Sequence, residues 1–285
     1  MKDLKKYCVV ALIIFLSGHF FARNEVQAQV IEIGGSIGAS YYMGDINPSI
    51  PFMQSQLGWG ALVRYYSGTR WAFRLAYSNL QLKGSDEVVG YHPDRGLSFT
   101  TNVHDIAVIA EFNFLDYFTG SKRSGISPYL FGGVSVLFFN PKAEDGTELC
   151  NMYTDVDYDS TMPLEGDSKY SKVAASIPFG FGVKYSASRR IGMALEWRWH
   201  LALTDWLDDC HAYYPHYNSN DTYVPYADPT GYAADENGNN NLSYIFRGNP
   251  SDYDWYGYLN FSITYKFNLP KGKDCNVRGR YKNFE

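Results

Sequence analysis

Residues Ile191 to Trp206 read IGMALEWRWHLALTDW, and the way they are read decides the fold. Every second residue from Ile191 gives Ile, Met, Leu, Trp, Trp, Leu and Leu. The residues between are Gly192, Ala194, Glu196, Arg198, His200 and Ala202. A period of two is that of a β-strand, whose side chains point alternately to opposite faces. One face of this strand is wholly apolar, and the other carries small residues and charges. A soluble sheet puts its large apolar side chains inward and its polar ones in water. Large apolar residues on one face, with small and charged ones on the other, suit a barrel with lipid outside and a narrow polar interior.

The same pattern recurs in seven further segments. Ile31 to Tyr41 alternates with Glu32, Gly34, Ser36, Gly38 and Ser40. Comparable stretches lie at Leu57–Tyr66, Arg70–Ser78, Asp105–Phe114, Val173–Tyr185 and Trp255–Phe267. Ser127 to Asn140 is apolar on both faces, which leaves its register open. Most of these segments are longer than ordinary globular strands and match the roughly 9–11 residues of a tilted membrane strand. The connections alternate in length. Those at 67–69 and 187–190 are tight, 116–126 is modest, and 43–56, 83–99, 141–172 and 204–253 are long. Short turns on one side and long loops on the other mark an eight-stranded antiparallel transmembrane barrel with periplasmic turns, extracellular loops and both termini in the periplasm. Tyr41, Tyr65, Tyr66, Trp71, Tyr77, Phe112, Phe114, Trp197, Trp199 and Trp255 are candidates for its aromatic girdles.

Lys2, Lys5 and Lys6, the apolar run Tyr7 to Leu16 and the small residues up to Val26-Gln27-Ala28 read as a signal peptide over 1–28. Its removal takes four basic and two acidic residues, so the formal charge of -5 becomes -7, and no nucleic-acid partner is expected. The barrel is then expected over 29–267, followed by a basic periplasmic tail, 268–285. In that tail Lys271, Lys273, Arg278, Arg280 and Lys282 are candidate partner-binding residues. Cys8 leaves with the signal, and Cys150, Cys210 and Cys275 remain. A disulfide between the long loops would join Cys150 to Cys210.

Charges inside a narrow barrel must pair to survive burial. Arg64, Arg74, Asp105, Glu111, Lys184, Glu196, Arg198, His200 and Lys266 are therefore expected to form a lumen network. Asp205, Asp208, Asp209, His211 and His216 have metal-ligating side chains, but their spacing matches no defined site. Asp208, Asp209 and His211 stand as weak metal candidates, and no cofactor is called for. A lipid hydrolase would use His200 or His104 as base, yet no G-x-S-x-G nucleophile motif occurs and nothing in the pattern sets a serine beside either histidine.

Four stretches carry a family resemblance: EIGGSIGASYYMGD (Glu32 to Asp45), PYLFGGVSVLFFNPKA (Pro128 to Ala143), EWRWHLALTDWLDD (Glu196 to Asp209) and RGNPSDYDWYGYLNFSITYKF (Arg247 to Phe267). In that order they resemble the Bacteroidota outer-membrane barrels that include PorG of the type IX secretion system. The resemblance implies a non-enzymatic protein of the Gram-negative outer membrane. It would bind the periplasmic ring lipoprotein and its partner, near the translocon that exports proteins with a C-terminal sorting domain. The alternative is a structural or adhesion barrel without a secretion role.

Overall fold

The computed structural model describes residues 30–121, 124–153, 170–211, 213–214, 219–220, 222–239, 246–249 and 251–268. The expected signal peptide, the basic tail with its five cations, and Cys8 and Cys275 lie outside the described residues. Eight strands follow one another as β1 (Val30–Met43), β2 (Gln56–Tyr66), β3 (Trp71–Ser85), β4 (Ser98–Asn113), β5 (Ile126–Phe138), β6 (Val173–Ser186), β7 (Ile191–Ala202) and β8 (Trp255–Asn268). Each pairs antiparallel with the next, and β8 returns to β1 to close the barrel. Val30 lies opposite Asn268, so the two ends of the barrel chain meet at the short-turn end.

Register fixes the barrel's shape. Paired residues followed round the wall run from Val30 through Tyr66, Ala72, Glu111, Phe131, Gly180, Arg198 and Tyr258 and return to β1 at Ser40, ten residues beyond the start. A stagger of that size tilts the strands strongly and leaves an interior that side chains can fill. The outward face is apolar: Leu57 is 67% exposed, Val134 66% and Leu195 55%, with Ile37, Val108, Phe181 and Ile263 beside them. An apolar surface this continuous belongs in lipid, and closure leaves no unpaired strand edge there. Among the described residues no helix is long and apolar enough to cross a membrane.

The open register of β5 is settled by its neighbour. Tyr129 and Phe131 point into the lumen, while Leu130, Val134, Val136 and Phe138 face outward. Tyr129 lies opposite Gly182, and Phe131 opposite Gly180. A Cβ on Gly180 would come within 2.8 Å of the Phe131 ring, and one on Gly182 within 2.9 Å of the Tyr129 ring. Two missing side chains on β6 thus make room for two rings on β5.

Two of the expected girdle residues sit elsewhere. Tyr66 turns inward and is buried, its ring 6.1 Å from Tyr117. Tyr41 faces outward but is buried, because the β1–β2 loop folds Phe52 over it at 4.5 Å, and Trp197 Nε1 donates to its hydroxyl at 2.8 Å. Phe52 holds a left-handed φ of 64°, a costly conformation for a bulky residue, and its contacts with Tyr41 and Trp197 hold it there.

Gly180→Val is expected to destabilise the barrel by about 1–3 kcal/mol through overpacking against the Trp197 carbonyl on β7 and the Phe131 ring on β5. Urea unfolding in lipid vesicles, followed by the heat-modifiable gel shift, reads this directly. An unchanged midpoint would contradict the close packing of Gly180 between β5 and β7.

Candidate functional site

A charge network fills the middle of the lumen. Arg64 on β2 and Arg74 on β3 lie directly opposite each other, an arrangement that is repulsive by itself. Three carboxylates reach it from other parts of the wall. Glu32 on β1 pairs with Arg64 at 3.1 Å. Glu111 on β4 lies 2.9 Å from Arg64 Nε, 3.0 Å from Arg74 Nε and 2.6 Å from Lys184. Glu196 on β7 pairs closely with Arg74, and with Arg198 at 3.1 Å. The Arg64 Nε and Arg74 Nε contacts with Glu111 are ion pairs of short distance but without hydrogen-bond alignment. Aromatic faces supplement the carboxylates: Lys184 Nζ lies 4.3 Å from the Tyr129 ring centroid, and Arg74 5.3 Å from that of Phe131. All these charged side chains are buried, so every partner counts.

Toward the long-loop end lie Asp105, Ser135, Ser176, His200 and Tyr256. The sequence pattern set no serine beside His200, but the β6–β7 register does. Ser176 Oγ is 3.3 Å from His200 Nδ1 and 2.6 Å from Ser135 Oγ. Asp105 lies 3.7 Å from the same Nδ1, and the His200 ring stacks on Tyr256 at 4.3 Å. A hydrolytic triad uses the two ring nitrogens separately, one for the nucleophile and one for the carboxylate. Here one nitrogen faces both, and Nε2 is buried with no hydrogen-bond partner among the described residues. His200, Ser176 and Asp105 are all buried. His104 is on the outer face, with Tyr77 Oη at 2.8 Å and Asn79 Nδ2 at 3.0 Å.

Both mouths are closed by chain. At the short-turn end the β4–β5 connection folds inward and buries Tyr117 and Thr119. Glu32 accepts from the Thr119 hydroxyl, from Thr264 at 3.0 Å and from Tyr66 at 3.3 Å. Lys266 leaves the central network: it donates to the Thr119 carbonyl and lies 4.3 Å from the Phe118 ring centroid. Glu32, Tyr117 and Thr119 escaped the sequence-based candidate set. Only the position of Glu32 on the small-residue face of β1 hinted at its part.

The long loops cap the other mouth. Tyr42 at the top of β1 donates toward Asp208 at 2.5 Å and Asp254 at 2.9 Å, all three fully buried. The other oxygens of these aspartates accept Cys210 N–H and Leu207 N–H, at 2.8 and 2.9 Å. A phenol has one hydrogen, so satisfying both carboxyl groups requires one of them to keep its own proton. Burial raises both carboxyls well above 3.8, Asp45 adding to this for Asp208 and Asp208 for Asp254. Arg247 pairs with Asp209 at 2.8 Å, and Tyr170 donates to Asp209 at 2.6 Å. Arg95 pairs with Asp86 at 2.7 Å.

The weak metal set is therefore dispersed: Asp208 serves Tyr42, Asp209 serves Arg247, and His211 lies 2.7 Å from Asp205. Among the described residues no group of three or more acidic, histidine or cysteine side chains is arranged to hold a metal ion. Cys150 and Cys210 are not joined, contrary to the disulfide the loop positions allowed. Both are buried thiols, but Cys150 Sγ is directed to the Tyr170 carbonyl at 3.7 Å, whereas Cys210 sits among Asp208, Asp209, Arg95 and Arg247.

A family model described as "Domain of unknown function (DUF6089)" matches residues 8–225, which include the first seven strands. The chain belongs to this family. No curated protein matches it. The DUF6089 barrel is similar to three solved outer-membrane barrels. Against Ail, the attachment invasion locus protein of Yersinia pestis, identity is 10%, with 85% of this chain and 100% of that chain covered and a TM-score of 0.38. Neisserial surface protein A gives 11% identity, 85% and 98% coverage and a TM-score of 0.40. OprG from Pseudomonas aeruginosa gives 13% identity, 85% and 96% coverage and a TM-score of 0.37.

Two outcomes test the geometry of this DUF6089 barrel. Glu111→Gln leaves Arg64, Arg74 and Lys184 undercompensated and is expected to cost roughly 3–5 kcal/mol, measured by urea unfolding in vesicles. The cap is expected to weaken as pH rises. The raised carboxyls of Asp208 and Asp254 bind a proton in the folded cap at pH values where the unfolded groups have lost theirs. Their stabilisation is complete below about 3.8 and is lost as pH climbs through the raised values. Protease cutting between residues 203 and 254 should therefore increase with pH, and Asp254→Asn, neutral at every pH, should flatten that rise.

Proposed function

We propose that the protein is an outer-membrane β-barrel component of the type IX protein secretion system. It would anchor the periplasmic ring complex to the outer membrane near the translocon, with no catalytic step of its own. The observation that carries the anchoring role is the filled lumen. Arg64, Arg74, Glu111 and Glu196 block its middle, Thr119 and Tyr117 its short-turn mouth, and the Tyr42–Asp208–Asp254 cluster its long-loop mouth. A barrel this full cannot pass a folded or unfolded polypeptide, so cargo needs another route. Shielding His200 from lipid supports the non-catalytic half of the reading. The secretion role is supported by the sequence resemblance of the four stretches above.

In this reading the short-turn end faces the periplasm, where the ring lipoprotein and its partner would dock. Tyr117 and Thr119 are engaged inside the barrel. The β4–β5 connection therefore offers a partner its exposed members, Phe114, Leu115 and Asp116, the last paired with Arg70 at 2.7 Å. The basic tail supplies the larger contact, through Lys271, Lys273, Arg278, Arg280 and Lys282. The anchoring surface on the membrane side is outer-membrane lipid.

A pull-down from solubilised outer membranes tests this reading, comparing the full chain with one ending at Phe267. Recovery of the ring lipoprotein by the full chain alone is expected and places the dock in the tail. Recovery by both moves the dock to the short turns. Recovery by neither, with ring components intact, overturns the reading in favour of a structural or adhesion barrel.

A further inference from the structure

A cleft of about 590 Å³ opens where the long-loop end meets the apolar belt, beside β6, β7, β8 and the β1–β2 loop. Its lower wall is formed by the outward side chains Phe179, Trp199 and Trp255. Phe179 stacks on Trp199 at 6.1 Å and meets Trp255 edge-on at 6.0 Å. Trp197, 4.5 Å from Trp199, continues these rings into the belt. The upper wall is acidic, with Asp45, Asp205 and Asp252.

None of these carboxylates is held in an ion pair by Lys or Arg among the described residues; Arg95 and His211 lie near enough to Asp45 to attract it without pairing. Asp45 accepts the Asn249 N–H at 2.8 Å, Asp252 accepts Asn249 Nδ2 at 2.7 Å, and Asp205 meets His211 at 2.7 Å. Burial pushes the Asp205 carboxyl up to about 6, against the hydrogen bond with His211, with Asp45 and Asp252 adding to the rise. No metal-holding group is formed here among the described residues. An acidic wall directly above an aromatic one complements an organic cation, to which the rings add cation–π attraction.

The depth of the wall selects the carrier. Trp199 and Trp255 lie on the outward face of the barrel, at the edge of the lipid belt. A water-soluble basic peptide would meet the aspartates and leave the rings uncovered, whereas a membrane amphiphile covers both. We propose that the cleft binds the protonated amine headgroup of a membrane amphiphile, its ammonium among Asp45, Asp205 and Asp252 and the start of its chain on Phe179, Trp199 and Trp255. The proposal is independent of any role in secretion.

The test uses the full chain in a neutral maltoside detergent, titrated with dodecylammonium, dodecanol and dodecyl sulfate and followed by calorimetry and tryptophan fluorescence. Dodecylammonium is expected to saturate and to bind about ten-fold or more tighter than the other two. The double variant Asp205→Asn, Asp252→Asn is expected to lose about ten-fold in dodecylammonium affinity and nothing for dodecanol. Asp252→Asn alone changes an exposed residue outside the strands, so its folding is secure, and it is expected to lose a smaller, measurable share. Equal binding of dodecanol and dodecylammonium overturns the proposal by showing a merely apolar groove. So does undiminished dodecylammonium binding by both variants. A lysine-rich peptide that binds as tightly without an alkyl chain overturns it in favour of a protein partner.

Discussion

Two arginines face each other across neighbouring strands in a space from which water is excluded, and the interior is arranged around that fact. Arg64 and Arg74 are opposed by register. Neither can turn outward, because the alternation that aims them inward also aims Val63 and Leu75 at lipid. Glu32, Glu111 and Glu196 approach from β1, β4 and β7. Closure of the sheet is what brings β7 close enough to serve β3. The charges and the closed topology are thus mutually dependent: an open sheet would leave Arg74 without Glu196. Buried ion pairs often add little net stability compared with apolar packing, but a half-completed network is costly. Such a network favours the one register that completes it.

The same economy of space explains the glycines of β6 and the closed mouths. Tyr129 and Phe131 occupy the volume that Gly180 and Gly182 leave empty, and those rings then cover Lys184 and Arg74. Thr119 and the Tyr42–aspartate cluster satisfy polar groups at either end that would otherwise face an unfilled hole. The result is a barrel without a conduit, whose possibilities for interaction lie on its outside and at its rims. The two rims differ in character. Among the described residues the short-turn rim presents Arg189 and Arg190 beside the Arg70–Asp116 pair, while the long-loop rim is aspartate-rich above an aromatic wall.

Much of this was legible in the chain itself. The strict alternation in β2, β3, β4, β7 and β8 fixed which face meets lipid, because a period of two allows only two answers and one of them buries charge in hydrocarbon. Loop lengths ordered the strands, since antiparallel neighbours joined by three residues have no other way to pair. The network members Arg64, Arg74, Glu111, Lys184, Glu196 and Arg198 were legible as inward charges for the same reason. Where both faces were apolar, as in β5, alternation carried no information and a neighbouring strand decided. Tyr66 and Tyr41 show the other failure: aromatic identity suggests an interface, but position on the inner face, or a loop folded over the outer one, overrides it.

The sequence by itself determined the architecture, the lipid-facing surface and most of the inward charges of the strands, because each follows from local periodicity and from the cost of placing a charge in lipid. Only the tertiary structure decided the pairing. It set Ser176 beside His200 on one nitrogen rather than two, drew Lys266 away to the Thr119 carbonyl, placed Tyr42 between two aspartates, and kept Cys150 and Cys210 apart. These contacts join residues far apart in the chain, at distances set by barrel stagger and loop packing, and no local pattern encodes either.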